Sequence, residues 1–189
     1  MKNKIIIIAL FGPAGSGKDF IQNRSAENLE LNQIVSCTTR PRREGEVDGV
    51  AYHFLDIYDF ALKVNKKEML ETTCFRDWYY GTSIDALSKD KINIGVFNIQ
   101  GIKNLLKDSR LLVFPVFIHC ADKIRLERQL KRENNPDCTE ICRRFLTDKE
   151  DFKEINFNYT SIRNEGKVDE VDKMMKTLVK TVKSCYQNN

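Results

Sequence analysis

Short apolar runs alternate with amphipathic stretches along most of the chain, and this pattern predicts strands and helices that follow one another. Residues 5–10 are apolar throughout, as expected of a parallel strand that is buried on both faces. Strands are predicted over residues 5–10, 34–39, 72–75, 94–99, 111–119 and 157–162. Helices are predicted over residues 17–29, 56–65, 83–89, 102–107, 122–133 (with Asp122 as N-cap) and 168–186, and Thr139 caps a further one. We therefore expect an α/β fold with a parallel sheet flanked by helices.

A glycine-rich segment follows the first predicted strand directly. It reads Phe11-Gly12-Pro13-Ala14-Gly15-Ser16-Gly17-Lys18-Asp19. Gly12 and Gly17 bracket four residues and Lys18 follows, which is the order of a phosphate-binding P-loop. Glycines let N–H groups converge on an anion, the next helix adds its positive end, and Lys18 brings a full charge to the β- and γ-phosphates. A glycine turn without a ligand is the alternative. The lysine and the buried strand favour an ATP site formed by residues 12–19.

Asp19 stands at the position where a P-loop normally has the serine or threonine that holds Mg²⁺. A carboxylate is a harder and better-charged ligand for Mg²⁺ than a hydroxyl. An aspartate in place of the usual serine or threonine is therefore compatible with metal binding, and Asp19 is the predicted Mg²⁺ ligand.

Composition narrows the class of protein. The chain has 189 residues, of which 41% are hydrophobic and 31% charged, and this fits one soluble domain. A net charge of +4 suits anionic small molecules, but it does not indicate a nucleic-acid binder, and no apolar run is long enough to span a membrane. The six scattered cysteines include no CxxC pair and indicate free thiols in a reducing cytoplasm. We expect a cytoplasmic monomer or homodimer.

A basic, glycine-containing segment follows the strand at 34–39. Arginine forks match phosphate geometry, so this segment indicates an oxyanion partner, although a solvated loop of mixed charge is the alternative. The spaced residues are Ser36, Thr38, Thr39, Arg40, Arg43, Gly45, Glu46, Val47, Gly49, Tyr52 and Phe54. With the P-loop, this spacing resembles the guanylate kinase family over most of the chain. The motif's proline is one place early, at Pro41.

The resemblance implies two groups of residues that bind GMP. The segment Trp78-Tyr79-Tyr80-Gly81-Thr82 resembles a second family signature. Phosphate ligands implied in this way are Arg40, Arg43, Tyr52 and Tyr80, and guanine ligands are Ser36, Glu71 and Thr82. The chemistry of guanine agrees with this assignment, because a carboxylate such as Glu71 can accept hydrogen bonds from both N1–H and N2–H₂. Adenine has no such pair of donors on that edge.

The strand near residue 96 departs from the family pattern. The segment resembles the family's D-x-D-x-Q-G, but Val96 and Asn98 occupy the two acidic positions. Such acids normally help to hold Mg²⁺ or its waters. We hypothesise that Asp19 restores the missing carboxylate from the loop side; the other possibility is a weakened site or a different substrate.

The helices after residue 122 carry several arginines. In kinases of this kind, lid arginines neutralise charge on the transferring phosphoryl group. Arg144 matches a family lid arginine directly. Arg128 and Arg132 keep the expected spacing from each other, but each lies one residue early. For these two, a solvated basic helix is the alternative interpretation. Leu126 and Leu130 are expected to face inward and Arg125 outward. Asn164 lies in a segment that resembles the family's adenine-side motif.

The implied protein is one domain over 1–189 with three parts. These are a P-loop core (1–35, 83–126 and 148–189), a small mixed GMP-binding lobe (36–82) and a helical lid (127–147). The implied activity is transfer of the ATP γ-phosphoryl group to GMP or dGMP with Mg²⁺, for which Lys18, Arg40, Arg128, Arg132 and Arg144 are the catalytic candidates. Two alternatives are a ribose 1,5-bisphosphate phosphokinase, a family whose loop also ends in Gly-Lys-Asp, and a non-catalytic guanylate-kinase-like peptide-binding module. The guanine-binding set argues against the first and the intact P-loop against the second.

Overall fold

A five-stranded parallel sheet forms the centre of the protein in the computed structural model, which describes residues 4–43, 45–75, 77–132 and 134–187. Its spatial order is β2-β7-β1-β8-β9, and every neighbouring pair is parallel. The strands are β1 (Ile5–Phe11), β2 (Asn32–Gln33), β7 (Asn93–Val96), β8 (Leu111–His119) and β9 (Thr160–Arg163). The P-loop follows β1, the strand in the middle of this sheet.

The two faces of β1 enter two separate hydrophobic clusters. Ile8 and Leu10 pack with residues of α1 (Lys18–Asn28) and α6 (Val168–Gln187) on one face. Ile7 and Phe11 pack with residues of α3 (Ile99–Lys107) on the other face. All four side chains are fully buried. Burial on both faces explains why this strand is apolar at every position rather than at every second one.

A second sheet of four strands has the order β4-β3-β6-β5. Its elements are β3 (Cys37–Thr38), β4 (His53–Phe54), β5 (Met69–Phe75) and β6 (Trp78–Ser83), with α2 (Ile57–Asn65) between β4 and β5. β5 and β6 form an antiparallel pair in which Glu71 is opposite Thr82. At Gly81 a Cβ atom would lie 2.9 Å from the Glu71 carbonyl oxygen, so only glycine permits this close pairing.

Two helices, α4 (Asp122–Leu130) and α5 (Cys138–Asp151), lie beside the P-loop. Their predicted N-caps were wrong. α5 is capped by Asp137, whose carboxylate accepts from the Glu140 N–H, and α4 follows Ala121 without a side-chain cap. Asp122 instead binds Arg125. The end predicted for α4, at Glu133, falls outside the described residues.

Two other predicted elements differ from the structure. The predicted strand over 34–39 is wrong because the chain crosses between the sheets there, and β2 and β3 belong to different sheets. The predicted helix over 83–89 is a single 3₁₀ turn, Ile84–Ala86. Its cause is the buried Asn93 side chain, which hydrogen-bonds to the Ser88 N–H and to the Ser88 and Lys91 carbonyls. These bonds take backbone groups that a continued helix would need. Within the described ranges, no helix is both long enough and apolar enough to cross a membrane.

Candidate active site

A cleft of about 1100 Å³ separates the P-loop from the second sheet, with α4 and α5 at its side. Most of the predicted site residues line it: Gly12, Ala14, Gly15, Gly17, Lys18, Asp19, Ser36, Arg40, Arg43, Tyr52, Glu71, Tyr80, Arg128, Arg132 and Arg144. Thr82 contacts two of the lining residues, and Asn164 contacts the P-loop from behind. Pro13 and Ser16 complete the turn of the loop itself. The structure therefore brings the predicted residues to one place.

The P-loop is folded tightly against its neighbours. Gly12 and Gly15 have φ angles of 143° and 77°. A Cβ atom on either glycine would lie 2.6 Å from a backbone oxygen, that of Ile118 or of Arg125. Both the space and the φ angle therefore require glycine. Lys18 begins α1, and its Nζ donates to the carbonyl oxygens of Gly12, at 2.7 Å, and Pro13, at 3.0 Å. Burial lowers the pKa of Lys18, which a phosphate would offset.

The outer side of the loop is held by two polar side chains. Asn164 Nδ2 donates to the Ser16 carbonyl oxygen at 2.8 Å. Arg128 Nη1 lies 3.3 Å from the Gly15 oxygen and 3.4 Å from the Ser16 oxygen. It also contacts Cys120 Sγ at 3.5 Å. In this state Arg128 supports the loop backbone, whereas a solvated basic helix would leave it in water.

Arg40 is buried on the other side of the cleft, with 8% of its surface exposed. Its Nη2 donates to both carboxylate oxygens of Glu46, at 2.8 and 2.9 Å, and its guanidinium lies 5.6 Å from the Tyr52 ring centre. Burial favours a higher pKa for Glu46, but bonds from the Arg43 N–H and from Arg40 lower it below its usual value. Burial raises the pKa of Tyr52 to about 12, so its hydroxyl remains a donor. The role of Glu46 in orienting Arg40 was missed in the sequence.

Four arginines from two parts of the chain share this end of the cleft. The pKa of Arg43 is lowered by burial first and then by the charges of Arg40, Arg144 and Arg132. Arg132 Nη2 lies 3.9 Å from Glu46 Oε1. Like charges held this close repel one another. Glu46, together with Glu140, whose Oε1 accepts from Arg144 Nε at 2.7 Å, compensates only part of the charge. The arrangement is therefore suited to a multiply charged anion such as a phosphate.

Glu71 lies farther along the second sheet and is the one buried carboxylate among the predicted substrate ligands. Its Oε1 accepts from the Thr82 hydroxyl at 2.9 Å, and the Ser36 hydroxyl lies 3.3 Å from that of Thr82. Burial raises the pKa of Glu71 from its ordinary value of 4.5 to about 7, against the bonds from Thr82. This pKa indicates that the negative charge of the buried carboxylate is only partly compensated by its neighbours. A ligand with two adjacent hydrogen-bond donors would complete its hydrogen bonding.

Asn98 has a structural role where the family pattern has an acid. Its Oδ1 accepts from the Gly101 N–H at 2.7 Å and caps α3, and its Nδ2 donates to Thr73 Oγ1 at 2.9 Å. Asp19 is exposed and lines the cleft directly after Lys18. Over the described ranges, no group of three or more histidine, cysteine or acidic side chains could hold a metal. Mg²⁺ usually takes one or two carboxylates together with waters and substrate phosphates, and Asp19 fits that requirement.

Two further residues near the P-loop were missed in the sequence, Arg125 and Asp148. Asp148 Oδ2 accepts from the Ala14 N–H and from Arg125 Nη2, both at 2.8 Å. Arg125 was expected to face outward and Leu130 inward, but Arg125 is 4% exposed and Leu130 is 38% exposed. The prediction was wrong because Arg125 is buried among hydrogen-bond partners from the P-loop, α4 and α5 and against the Phe145 ring, none of which helical periodicity indicates.

A P-loop at the end of a central parallel strand, facing a second anion site and a buried carboxylate across one cleft, defines a P-loop nucleotide kinase. The sequence also matches the family model described as guanylate kinase over residues 2–184. The chain belongs to the guanylate kinase family, and the resemblance stated from its sequence is confirmed.

Individual relatives agree with the family match. The chain is 29% identical to a guanylate kinase of Campylobacter jejuni over 174 residues, which cover 88% of this chain and 84% of that protein. It is 31% identical to one of Helicobacter hepaticus over 170 residues, which cover 87% and 84%. The crystal structure of guanylate kinase from Anaplasma phagocytophilum superposes with a TM-score of 0.69 at 19% identity, over 97% of this chain and 87% of that one. This last likeness confirms the predicted α/β fold with a parallel sheet flanked by helices.

Proposed function

We propose that the protein transfers the γ-phosphoryl group of ATP to GMP or dGMP, giving ADP and GDP. The observation that carries this proposal is the buried Glu71, which lies in the same cleft as the arginine cluster and the P-loop. A carboxylate there can accept both N1–H and N2–H₂ of guanine. A nucleotide oriented by that contact would bring its phosphate toward Arg40 and Arg43, opposite the ATP phosphates.

Each group of residues then has a separate task in the reaction. Lys18 and the loop N–H groups bind the β- and γ-phosphates, while Arg40, Arg43, Tyr52 and Tyr80 hold the acceptor phosphate. Arg132 and Arg144 neutralise charge on the transferring group. Asp19 would hold Mg²⁺, which would supply positive charge to offset the charge of the ATP phosphates. Ser36 and Thr82 orient Glu71 and the base. Asn164 supports the P-loop through Ser16, and its segment would lie near the adenine of ATP. Catalysis comes from placing two anions in line and reducing their repulsion.

We also propose the division of the chain that this mechanism needs. Residues 36–82 act as the GMP-binding lobe and 127–147 as a lid that excludes water, while 1–35, 83–126 and 148–189 form the core. The location is the cytoplasm, and the partners are small nucleotides rather than nucleic acid. Sedimentation of the purified protein would distinguish a monomer from a homodimer.

The test is a coupled assay of ADP release with a panel of acceptors that includes GMP, dGMP, AMP, CMP, UMP and ribose 1,5-bisphosphate. We expect activity with GMP or dGMP to exceed that with the other acceptors by orders of magnitude. A preference for ribose 1,5-bisphosphate would support a phosphokinase of that kind. A chain that releases ADP with none of these acceptors would be a binding module.

Asp19 gives a prediction about the metal. If its carboxylate holds Mg²⁺, Asp19→Ala should raise the Mg²⁺ concentration needed for half-maximal activity by about tenfold or more. Asp19→Ser should raise it less, because a hydroxyl still coordinates Mg²⁺ in ordinary P-loops. The measurement is a Mg²⁺ titration at fixed ATP and GMP. An unchanged titration in the alanine variant would leave Asp19 only as a favourable acid in the first turn of α1.

Glu71 gives a prediction about pH. Its pKa is about 7 in the folded protein and 4.5 in an ordinary environment, so folding favours the protonated form. This stabilisation is fully present below the unfolded value and is lost as the pH rises through the folded value. The free energy of unfolding of the wild type, relative to Glu71→Gln, should therefore fall between about pH 5 and pH 8. Urea unfolding at a series of pH values measures this difference, and parallel curves for the two proteins would contradict it.

A further inference from the structure

The backbone of Ala14, inside the P-loop, is held at its N–H and at its carbonyl oxygen by two charged side chains. Its N–H donates to Asp148 Oδ2 at 2.8 Å, and its carbonyl oxygen accepts from Arg125 Nε at 3.0 Å. Arg125 Nη2 also donates to the same Asp148 oxygen at 2.8 Å. Ala14, Arg125 and Asp148 therefore form a closed ring of three hydrogen bonds, which we call the loop clasp.

The loop clasp connects three elements of the structure. Arg125 belongs to α4, and its own carbonyl oxygen would lie 2.6 Å from a Cβ at Gly15, so the loop rests directly on α4. Asp148 belongs to α5. Phe145, also on α5, lies with its ring centre 4.5 Å from the Arg125 guanidinium, and Asp122 Oδ1 accepts from Arg125 Nη1 at 3.0 Å. The loop, α4 and α5 are thus fixed to one another through a single buried guanidinium.

The clasp also lies one helical turn from a proposed catalytic arginine. Asp148 follows Arg144 by four residues on α5, so the two side chains project from the same face of the helix. Arg144 lines the cleft, and its charge lowers the pKa of Arg43 on the acceptor side. The position of Arg144 over the phosphates therefore depends on where α5 is held relative to the loop.

We propose that Arg125 and Asp148 are positioning residues, which fix the Ala14 peptide of the P-loop and set the distance between that loop and Arg144. This inference rests on the proposed phosphoryl transfer, in which Arg144 faces the transferring group. Charged hydrogen bonds in a buried setting are short and strong, so the clasp preorganises the loop before nucleotide binds. Neither residue needs to touch a substrate for this role.

The test is a double-mutant cycle of Asp148 and Arg144. Asp148→Asn keeps the size of the side chain but faces Arg125 with an amide group. We expect it to lower kcat by about tenfold or more, as displaced catalytic groups and lost supporting contacts do, with a smaller change in the KM values. In an Arg144→Ala background the same substitution should lower kcat by a clearly smaller factor, because only its effect through the Ala14 backbone remains.

Two variants serve as checks on this cycle. Arg125→Lys keeps the charge but loses the planar fork, so it should reproduce the pattern of Asp148→Asn. Asp172→Asn is the matched control, because it removes a bidentate Arg–Asp pair, with Arg24, away from the cleft. It should leave kcat unchanged. Thermal unfolding of every variant measures how much folded protein each assay contains.

A readout that needs no acceptor completes the design. Exchange of the Ala14 amide hydrogen with deuterium, followed by NMR, should be faster in Asp148→Asn because a neutral oxygen accepts a weaker hydrogen bond than a carboxylate. An unchanged exchange rate, an unchanged kcat, or an equal loss of kcat in both backgrounds overturns the proposal. The cycle uses whichever acceptor the panel identifies, so a preference for another acceptor would reject GMP as the substrate without affecting this test.

Discussion

Replacing Lys18 by alanine should lower the rate of phosphoryl transfer by at least about a thousandfold, because a full charge at the β- and γ-phosphates is lost from a preorganised site. The fold should persist. Lys18 is desolvated in the structure, and its pKa is lowered by that burial, so the charge is held there at a cost to stability. The substitution removes two hydrogen bonds from Lys18 Nζ to loop carbonyl oxygens, those of Gly12 and Pro13.

Single-turnover transfer from ATP measures the loss of rate, and thermal unfolding measures whether the fold persists. Lys167→Ala is the matched control, since that lysine is 76% exposed and pairs with Glu170 outside the cleft. It should change neither quantity. A Lys18→Ala enzyme that kept most of its turnover would show that the loop does not bind the transferred phosphates. One that failed to fold would show that Lys18 holds the loop together.

Replacing Glu71 by glutamine should remove the preference for guanine. Glutamine keeps the shape but has one acceptor oxygen, so its NH₂ group would face a guanine donor in a desolvated site. Sites built to bind such donors discriminate against analogues that lack them by about 10⁴-fold, and most of that ratio should disappear. We expect a large loss of kcat/KM with GMP and a GMP-to-AMP ratio close to that of a non-selective enzyme.

The measurement is kcat/KM for GMP and AMP in the wild type and the variant. Glu68→Gln is the matched control, because Glu68 lies just before the same strand and pairs with Lys63 at the surface. Its substitution should leave the ratio unchanged. If Glu71→Gln kept the wild-type preference, the guanine would have to be bound elsewhere in the cleft. A wild type that prefers AMP would reject the guanine assignment outright.

Much of the fold was predictable because its signals are local. An unbroken apolar strand followed by a glycine loop and a lysine identifies β1 and the P-loop without knowledge of the rest of the chain. The prediction over 83–89 failed because the side chain of Asn93, the first residue of the next strand, takes the backbone hydrogen bonds there. No helix propensity reports a partner of that kind.

The predictions about the site divide in a similar way. The spaced motifs predicted which residues bind substrate, and most of these residues line the cleft, but the motifs do not indicate which of them contact each other. The loop clasp joins residues 14, 125 and 148, which are far apart in sequence, and helical periodicity assigns a lone arginine to the surface. Its detection from sequence would have required the packing of α4 against α5. The Arg40–Glu46 pair lies within one motif, and its spacing was visible although its geometry was not.

The crossing of the chain between the two sheets has a mechanical consequence. The chain leaves the central sheet after β2 and returns to it at β7, and these two strands are hydrogen-bonded neighbours, with Asn32 paired to Asn93. Both covalent connections therefore lie at the same edge of the central sheet, one at the carboxyl end of β2 and the other at the amino end of β7. If the second sheet rotated about an axis that passes through β2 and β7, it would move as one body and carry Glu71 and Arg40 with it. Rotation in the closing direction would shorten the distance between the nucleotide bound at the P-loop and the acceptor bound at the second sheet. It would leave the packing around β1 undisturbed.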